Sequence, residues 1–157
     1  MGRPAMSDAG NALKLADAEP QEAAYRLQDQ IGFILRKAHQ RHVSIFTGRI
    51  GDLTPPQFAA LAMLCEVGET SQNQLGQMIA MDAATAKGVV DRLKARAYVA
   101  VRPDPADKRR LLVALTNAGR KACDTLIPLA QLITADTLAP LSAKEGETLL
   151  RLLSRIA

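Results

Sequence analysis

Between Ser71 and Leu115 two short apolar-striped segments sit so close together that few folds can bury both. Ser71-Gln72-Asn73-Gln74 reads as a capping box opening a helix that carries Leu75, Met78 and Ile79. A second helix begins at Asp82, a natural N-cap, with Val89, Val90 and Leu93 as its apolar face. Only Ala80-Met81-Asp82 separates the two, which predicts a helix-turn-helix. Tyr98–Val101 and Leu111–Leu115 then read as strands, joined by a turn with two prolines (Pro103, Pro105) and two aspartates (Asp104, Asp107). A helix-turn-helix followed by a hairpin predicts a winged helix, mainly α with a small β-wing.

The flanks are helical. Residues 21–48 carry Leu27, Ile31, Ile34, Leu35, Ala38, His42 and Ile45 at steps of three and four, with Gly48 and Gly51 as the expected stop. Thr54, Pro55 and Gln57 form a capping box with proline at the first helical position. This helix should bury Phe58, Leu61, Ala62, Leu64 and Cys65, and Gly68 should close it. Thr116 should cap a long helix with Cys123, Leu126, Ile127, Ala130 and Ile133 inside, kinked or broken at Pro128. Ser142 and Glu145 make a third capping box before Leu149, Leu150, Leu152, Leu153 and Ile156. Residues 1–20 read as a mobile tail with a short helical stretch near Leu13 and Leu15. The expected organisation is one domain over 21–157: a winged helix at about 53–115 between helices at about 21–48 and 116–157. Those outer helices bear apolar stripes with no obvious partner inside a small winged-helix unit. Pairing them across a two-fold axis would cover them.

Charge is uneven. Lys87–Lys121 holds ten basic residues against three acids, so this stretch carries +7 of a chain whose net charge is +4. A local basic surface fits either a polyanion partner or a solvated face. With no Trp, two Tyr and three Phe, a stacking platform for single strands is excluded. Cys65 and Cys123 match neither a disulfide framework nor a CxxC motif and read as buried thiols. The residues offer no nucleophile–base constellation, phosphate loop or metal cluster, so neither an enzyme nor a cofactor is expected. No apolar run approaches membrane-spanning length and no signal core appears, which makes a cytoplasmic protein the expectation.

The helix at Asp82 is the recognition candidate. Ala83, Ala84 and Thr85 allow close approach to base edges, and Lys87 reaches a guanine or a phosphate. Arg92, Lys94 and Arg96 are expected near the DNA backbone, adding affinity and salt dependence. Ser71, Gln72, Asn73 and Gln74 open a helix end that either caps itself or meets a phosphate. The wing tip places Lys108 or Arg109 for a minor groove, with Arg110 a further DNA-contact candidate beside them and Asp107 pairing Arg109 to fix its shape.

These segments resemble the MarR family of bacterial transcription regulators. LTPPQFAALAMLCEVG resembles the family's second helix, SQNQLGQMIAMDAATAKGVVDRLKARAYV its helix-turn-helix, and RPDPADKRRLLVALTNAGR its wing and following helix. Ala97 departs from the glycine common there, which bears on that turn. The resemblance implies an obligate homodimer with interdigitated terminal helices. It also implies a pseudo-palindromic double-stranded operator read in successive major grooves, and release on binding a small aromatic or phenolic effector. DQIGFILRKAHQRHVSIF with AMDAATAKGVVDRLK is similar to repressors of nicotinate breakdown that respond to hydroxylated nicotinic acid. An oxidant-sensing regulator and a non-specific architectural DNA binder are the alternatives.

In this family effectors sit between the dimer helices and the DNA-binding lobe. Arg36, His39 and His42 on the first helix are the candidate effector residues, a guanidinium for a carboxylate and imidazoles for a carboxylate or ring nitrogen. The competing reading is a histidine pair satisfied by backbone carbonyls.

Overall fold

The computed structural model describes residues 25–157. The tail expected at 1–20 and the start of the expected first helix, 21–24, lie outside the described residues. A 3-10 turn at Leu27–Asp29 comes first, and Gln30 is extended (φ −84°, ψ 131°). Helix α1 is therefore Ile31–Arg49, beginning later than its stripe suggests. The reason is local: Gln30 turns its side-chain amide onto the Arg26 carbonyl at 3.1 Å and its N–H onto Leu27, closing the turn. Gly48 does not stop α1 but lies in its last turn. The cap is Ile50, whose N–H reaches the Phe46 carbonyl at 2.7 Å.

Helix α2 is Pro55–Val67, and both limbs of its capping box form: Gln57 N–H donates to Thr54 Oγ1 at 3.4 Å and Thr54 N–H to Gln57 Oε1 at 3.2 Å. Gly68, at φ +77°, ends it in a conformation few side chains tolerate. Then follow β1 (Thr70–Ser71), α3 (Gln72–Met78) and α4 (Ala83–Ala95). The hairpin is β2 (Val99–Pro103) and β3 (Leu111–Leu115), and α5 (Asn117–Leu138) and α6 (Ala143–Leu153) complete the chain. The first wing strand thus starts one residue later and runs further than Tyr98–Val101. The sheet is antiparallel in the order β1-β3-β2, with Thr70 opposite Val113 and Val101 opposite the same residue across the other edge.

The predicted box at Ser71 is only half made. Gln74 N–H donates to Ser71 Oγ at 3.3 Å, while Ser71 itself lies in the sheet opposite Leu112. Gln74 Oε1 instead accepts the hydroxyls of Ser71 and Thr70 at 3.0 and 3.3 Å. The other caps form as read: Asp82 accepts from Thr85 N–H, Thr116 from Gly119 N–H, and Ser142 and Glu145 complete a full box.

One core joins the lobes. Phe46 and Ile50 from α1, Leu61 and Leu64 from α2, Leu75, Val90 and Leu93 from the helix-turn-helix, Val113 from β3, and Cys123 and Ile133 from α5 are all buried. Each such side chain contributes on the order of 1.5–3 kcal/mol of burial. Met78 faces out rather than in. Helix α5 runs unbroken through Pro128, because the proline is exposed while Cys123 and Ile133 anchor the helix on either side of it. The outer helices are bare in the single chain: Ile31 is 60% and Ile156 69% exposed, with Ile34, Leu35, Leu149, Leu150 and Leu152 also uncovered. Among the described residues no single helix is long and apolar enough to cross a membrane.

Two close approaches set the lobe geometry. A Cβ on Gly76 would stand 2.9 Å from the Ala86 Cβ, so α3 and α4 cross in contact. A Cβ on Gly119 would fall 2.0 Å from the Tyr98 carbonyl oxygen. Gly119→Ala should therefore cost about 3 kcal/mol, read as an earlier urea midpoint. Ala97 holds φ +59°, a left-handed conformation that strains an alanine. Ala97→Gly should raise stability by about 0.5–1 kcal/mol in the same measurement.

Candidate functional site

Helix α4 has two faces. Ala86, Val89, Val90 and Leu93 are buried against the core, and Ala83, Ala84, Thr85, Lys87, Arg92 and Lys94 are exposed. Arg96 caps the far end and is exposed too. The start of the helix is held by Asp82, whose carboxylate accepts Thr85 N–H at 2.9 Å and the Thr85 hydroxyl at 2.7 Å. The Thr85 hydroxyl proton is thus spent locally, leaving its oxygen as an acceptor and its methyl outward. These two bonds hold the Asp82 carboxyl below the usual carboxylate range. Lys87 leans one turn along onto Asp91 at 2.6 Å. Both ends of that pair are more than half exposed, so the contact is easily exchanged for a nucleic-acid anion.

The wing is shaped by short polar bonds. Asp107 accepts Arg109 N–H at 3.0 Å and the Arg109 guanidinium at 3.1 Å, the pairing the sequence suggests. Those contacts, with Arg110 nearby, pull the Asp107 carboxyl below its ordinary range. Asp104 caps the loop through Ala106 N–H at 2.8 Å. Lys108 and Arg109 stand at the tip, and the Arg109 side chain is 92% exposed. At the base, Arg102 bonds Glu69 through two nitrogens, at 2.6 and 3.1 Å.

Wing and helix-turn-helix meet. Arg109, Arg110 and Leu111 line a cleft of about 100 Å³ with Ser71, Gln72 and Asn73, and Arg110 reaches Gln74 Oε1 at 3.4 Å. Gln72 is half-buried and Asn73 and Gln74 are exposed, but Ser71 is only 4% exposed, so its side chain serves the fold and not a surface.

The candidate effector residues do not converge. His42 lines a cavity of about 330 Å³ between α1, α2 and α5, with Phe46, Pro55, Phe58, Ala59, Ala130, Ile133 and Thr134. Arg36 is exposed and lies 5.3 Å from the centre of the Phe33 ring, and His39 is exposed on the same helix. Successive three-residue steps turn a helix by about 60° each, so Arg36 stands about 120° round from His42. His42 Nδ1 is 3.0 Å from Thr137 Oγ1. Nearby, Asp136 ties the end of α5 to α1: Arg49 Nε donates to its carboxylate at 2.7 Å and Arg41 to its carbonyl at 2.8 Å. The periodicity of α1 did not single out these two arginines, because the Asp136 they meet comes from α5, 87 and 95 residues along the chain.

The two cysteines differ. Cys65 is exposed, contrary to the expectation of two buried thiols, because α2 turns that edge out beside Glu66. It borders a second depression of about 390 Å³ that shares Phe58, Ala130 and Thr134 with the first. Cys123 is buried and donates to the Leu61 carbonyl at 3.7 Å. Burial first, and the neighbouring Cys65 thiol second, push it up to about 12. Native protein should thus show one fast-reacting thiol per chain with an aromatic disulfide reagent, lost in Cys65→Ser. A second reactive thiol in the folded state would contradict this. Acid provides another test. A lowered native Asp82 value means the cap's contribution is present above about pH 4. It is lost as pH falls through the native value. Asp82→Asn, which caps without ionising, should show a shallower loss of helical signal on acidification.

A family model described as MarR family matches residues 51–110. The HTH-type transcriptional repressor NicR of Pseudomonas putida is 41% identical over 134 residues, covering 84% of this chain and 85% of NicR. The crystal structure of a probable transcriptional regulator from Pseudomonas aeruginosa is 53% identical, with a TM-score of 0.82, over 84% of this chain and all of the other. Bordetella bronchiseptica BpsR, whose DNA binding is regulated by 6-hydroxynicotinic acid, is 40% identical with a TM-score of 0.80, over 84% of this chain and 96% of BpsR.

Proposed function

The chain belongs to the MarR family, and from that premise we propose that it is a ligand-responsive repressor. It binds a pseudo-palindromic operator as a homodimer and releases it on binding a small aromatic acid of the hydroxynicotinate type. The observation that carries the DNA half is α4, capped by Asp82 and presenting Ala83, Ala84, Thr85 and Lys87 beside a cationic wing. In this reading α4 enters the major groove, and its small side chains let the backbone come close to base edges while Lys87 exchanges Asp91 for DNA. Arg92, Lys94, Arg96, Gln72, Asn73 and Gln74 meet the backbone. Lys108 and Arg109 enter the minor groove, and Arg110 braces the wing against α3.

The bare apolar faces of α1 and α6 support the dimer. Covering them across a two-fold axis would set two α4 helices one DNA turn, about 34 Å, apart. The effector half rests on the cavity at His42, which lies where the dimer helices meet the DNA-reading lobe. A ring wedged there would act on the α1–α5 and α2 packing that fixes the lobe's angle. The similarity to NicR and BpsR supports a hydroxynicotinate as the first compound to try.

Gel shifts on the promoter of its own gene and on random DNA test the repressor reading. Specific binding should be at least about a thousandfold tighter and weaken on adding 6-hydroxynicotinate; equal affinity for both DNAs would sink the reading. Lys87→Ala should weaken the specific site more than random DNA. Arg109→Ala should weaken both and lower the slope of log affinity against log salt by about one.

A further inference from the structure

The cavity at His42 offers an incoming ring lone pairs rather than protons. Thr137 Oγ1 lies 2.7 Å from the Ile133 carbonyl and 3.0 Å from His42 Nδ1. A hydroxyl has one proton, and the shorter contact to the carbonyl takes it. Thr137 must then accept from His42, which fixes the neutral imidazole as the Nδ1–H tautomer and leaves Nε2 as an acceptor. Nε2 has no hydrogen-bond partner among the described residues, and it is not sealed in the interior. The other polar group of the lining, Thr134 Oγ1, donates its proton to the Ala130 carbonyl at 3.3 Å and likewise presents a lone pair. The rest of the wall is apolar, and no lysine or arginine lines it. Arg41 and Arg49 on α1 are held on Asp136, and Arg36 and Lys37 lie outside the lining.

We infer that this cavity selects a planar ring by a hydrogen-bond donor, a ring N–H or ring hydroxyl, delivered to Nε2 of His42, while any carboxylate on that ring lies at the cavity mouth. This rests on the effector reading above and sharpens it. A bare aromatic carboxylate brings only acceptors to an acceptor-lined slot and leaves two sets of lone pairs facing each other. The lactam form of 6-hydroxynicotinate brings an N–H. His42 therefore separates hydroxylated from unhydroxylated ring acids, with Thr137 as the positioning residue that holds the tautomer.

Calorimetric titration of the full chain with three probes tests this: 6-hydroxynicotinate, its ring-N-methylated lactam, and nicotinate. Wild type should bind the first at least about tenfold more tightly than the other two, a gap of about 1.4 kcal/mol. His42→Phe should erase the difference by weakening 6-hydroxynicotinate alone. Long-range proton–nitrogen spectra of ligand-free wild type should show Nε2 unprotonated, and Thr137→Val should mix the tautomers without unfolding the chain. Equal binding of all three probes to wild type, or an Nε2–H tautomer, would overturn the inference and leave the effector reading standing. Binding of none of the three would overturn both.

Discussion

The arrangement of this chain hangs on one knot of backbone at Ala97, Tyr98, Thr116 and Gly119. The Thr116 hydroxyl donates to the Ala97 carbonyl at 2.6 Å, Thr116 N–H reaches the Tyr98 carbonyl at 3.0 Å, and Gly119 N–H returns to Thr116 Oγ1 at 3.0 Å. Three elements leave from this point: the end of α4, the first wing strand and the start of α5. Because Gly119 has no side chain, α5 can press onto the Tyr98 carbonyl, and the DNA-reading helix takes a fixed angle to the long helix. The left-handed Ala97 is the strain this closure stores. The tight contact of Gly76 with Ala86 does the same for the pair α3–α4, so the reading lobe is built as a close-packed block.

That rigidity gives the cavity its meaning. It lies between α1, α2 and α5, where the block joins the helices whose outer faces are bare. On the proposed reading, a ligand there would not need to reach DNA to affect it, since a small change in the angle of the block would displace the far tips of α4 and the wing. Asp136, bonded by Arg41 and Arg49, ties the α1–α5 side of this joint together.

Local chemistry was the readable part of the sequence. Thr54, Asp82, Thr116 and Ser142 each announce a helix start through a side chain that bonds within three residues, so no tertiary knowledge is needed to place them. The hairpin was equally plain from two β-rich runs around Pro103 and Pro105. What depended on distant partners was not readable. Strand β1 is two residues long and exists only because β3 lies beside it, and the Gln74 oxygen that the Ser71 box required accepts the Thr70 and Ser71 hydroxyls instead. Cys65 sits on a helical stripe, yet its edge of α2 is left exposed beside an open depression. Arg36 and His39 share a helix with His42, but the angle of that helix to α5 decides which one reaches the cavity. Phe46, the one fully buried side chain of α1, was hidden by the stronger apolar pattern ahead of it, which belongs to an outer face.

The sheet order β1-β3-β2 also changes what kind of object the wing is. A hairpin standing alone would be a loose arm, free to find a groove after the helix had docked. Here β3 is the middle strand, stapled to the residues that open α3, and Gln74 and Glu69 reach across to Arg110 and Arg102. The wing is thus the long limb of a lever whose short limb is the first turn of α3. In the proposed binding mode, force on its tip in a narrow groove would be felt where α3 presses on the sugar–phosphate chain. The two grips would then tighten or slip together, and a DNA whose groove width suits only one of them would be held less well by both.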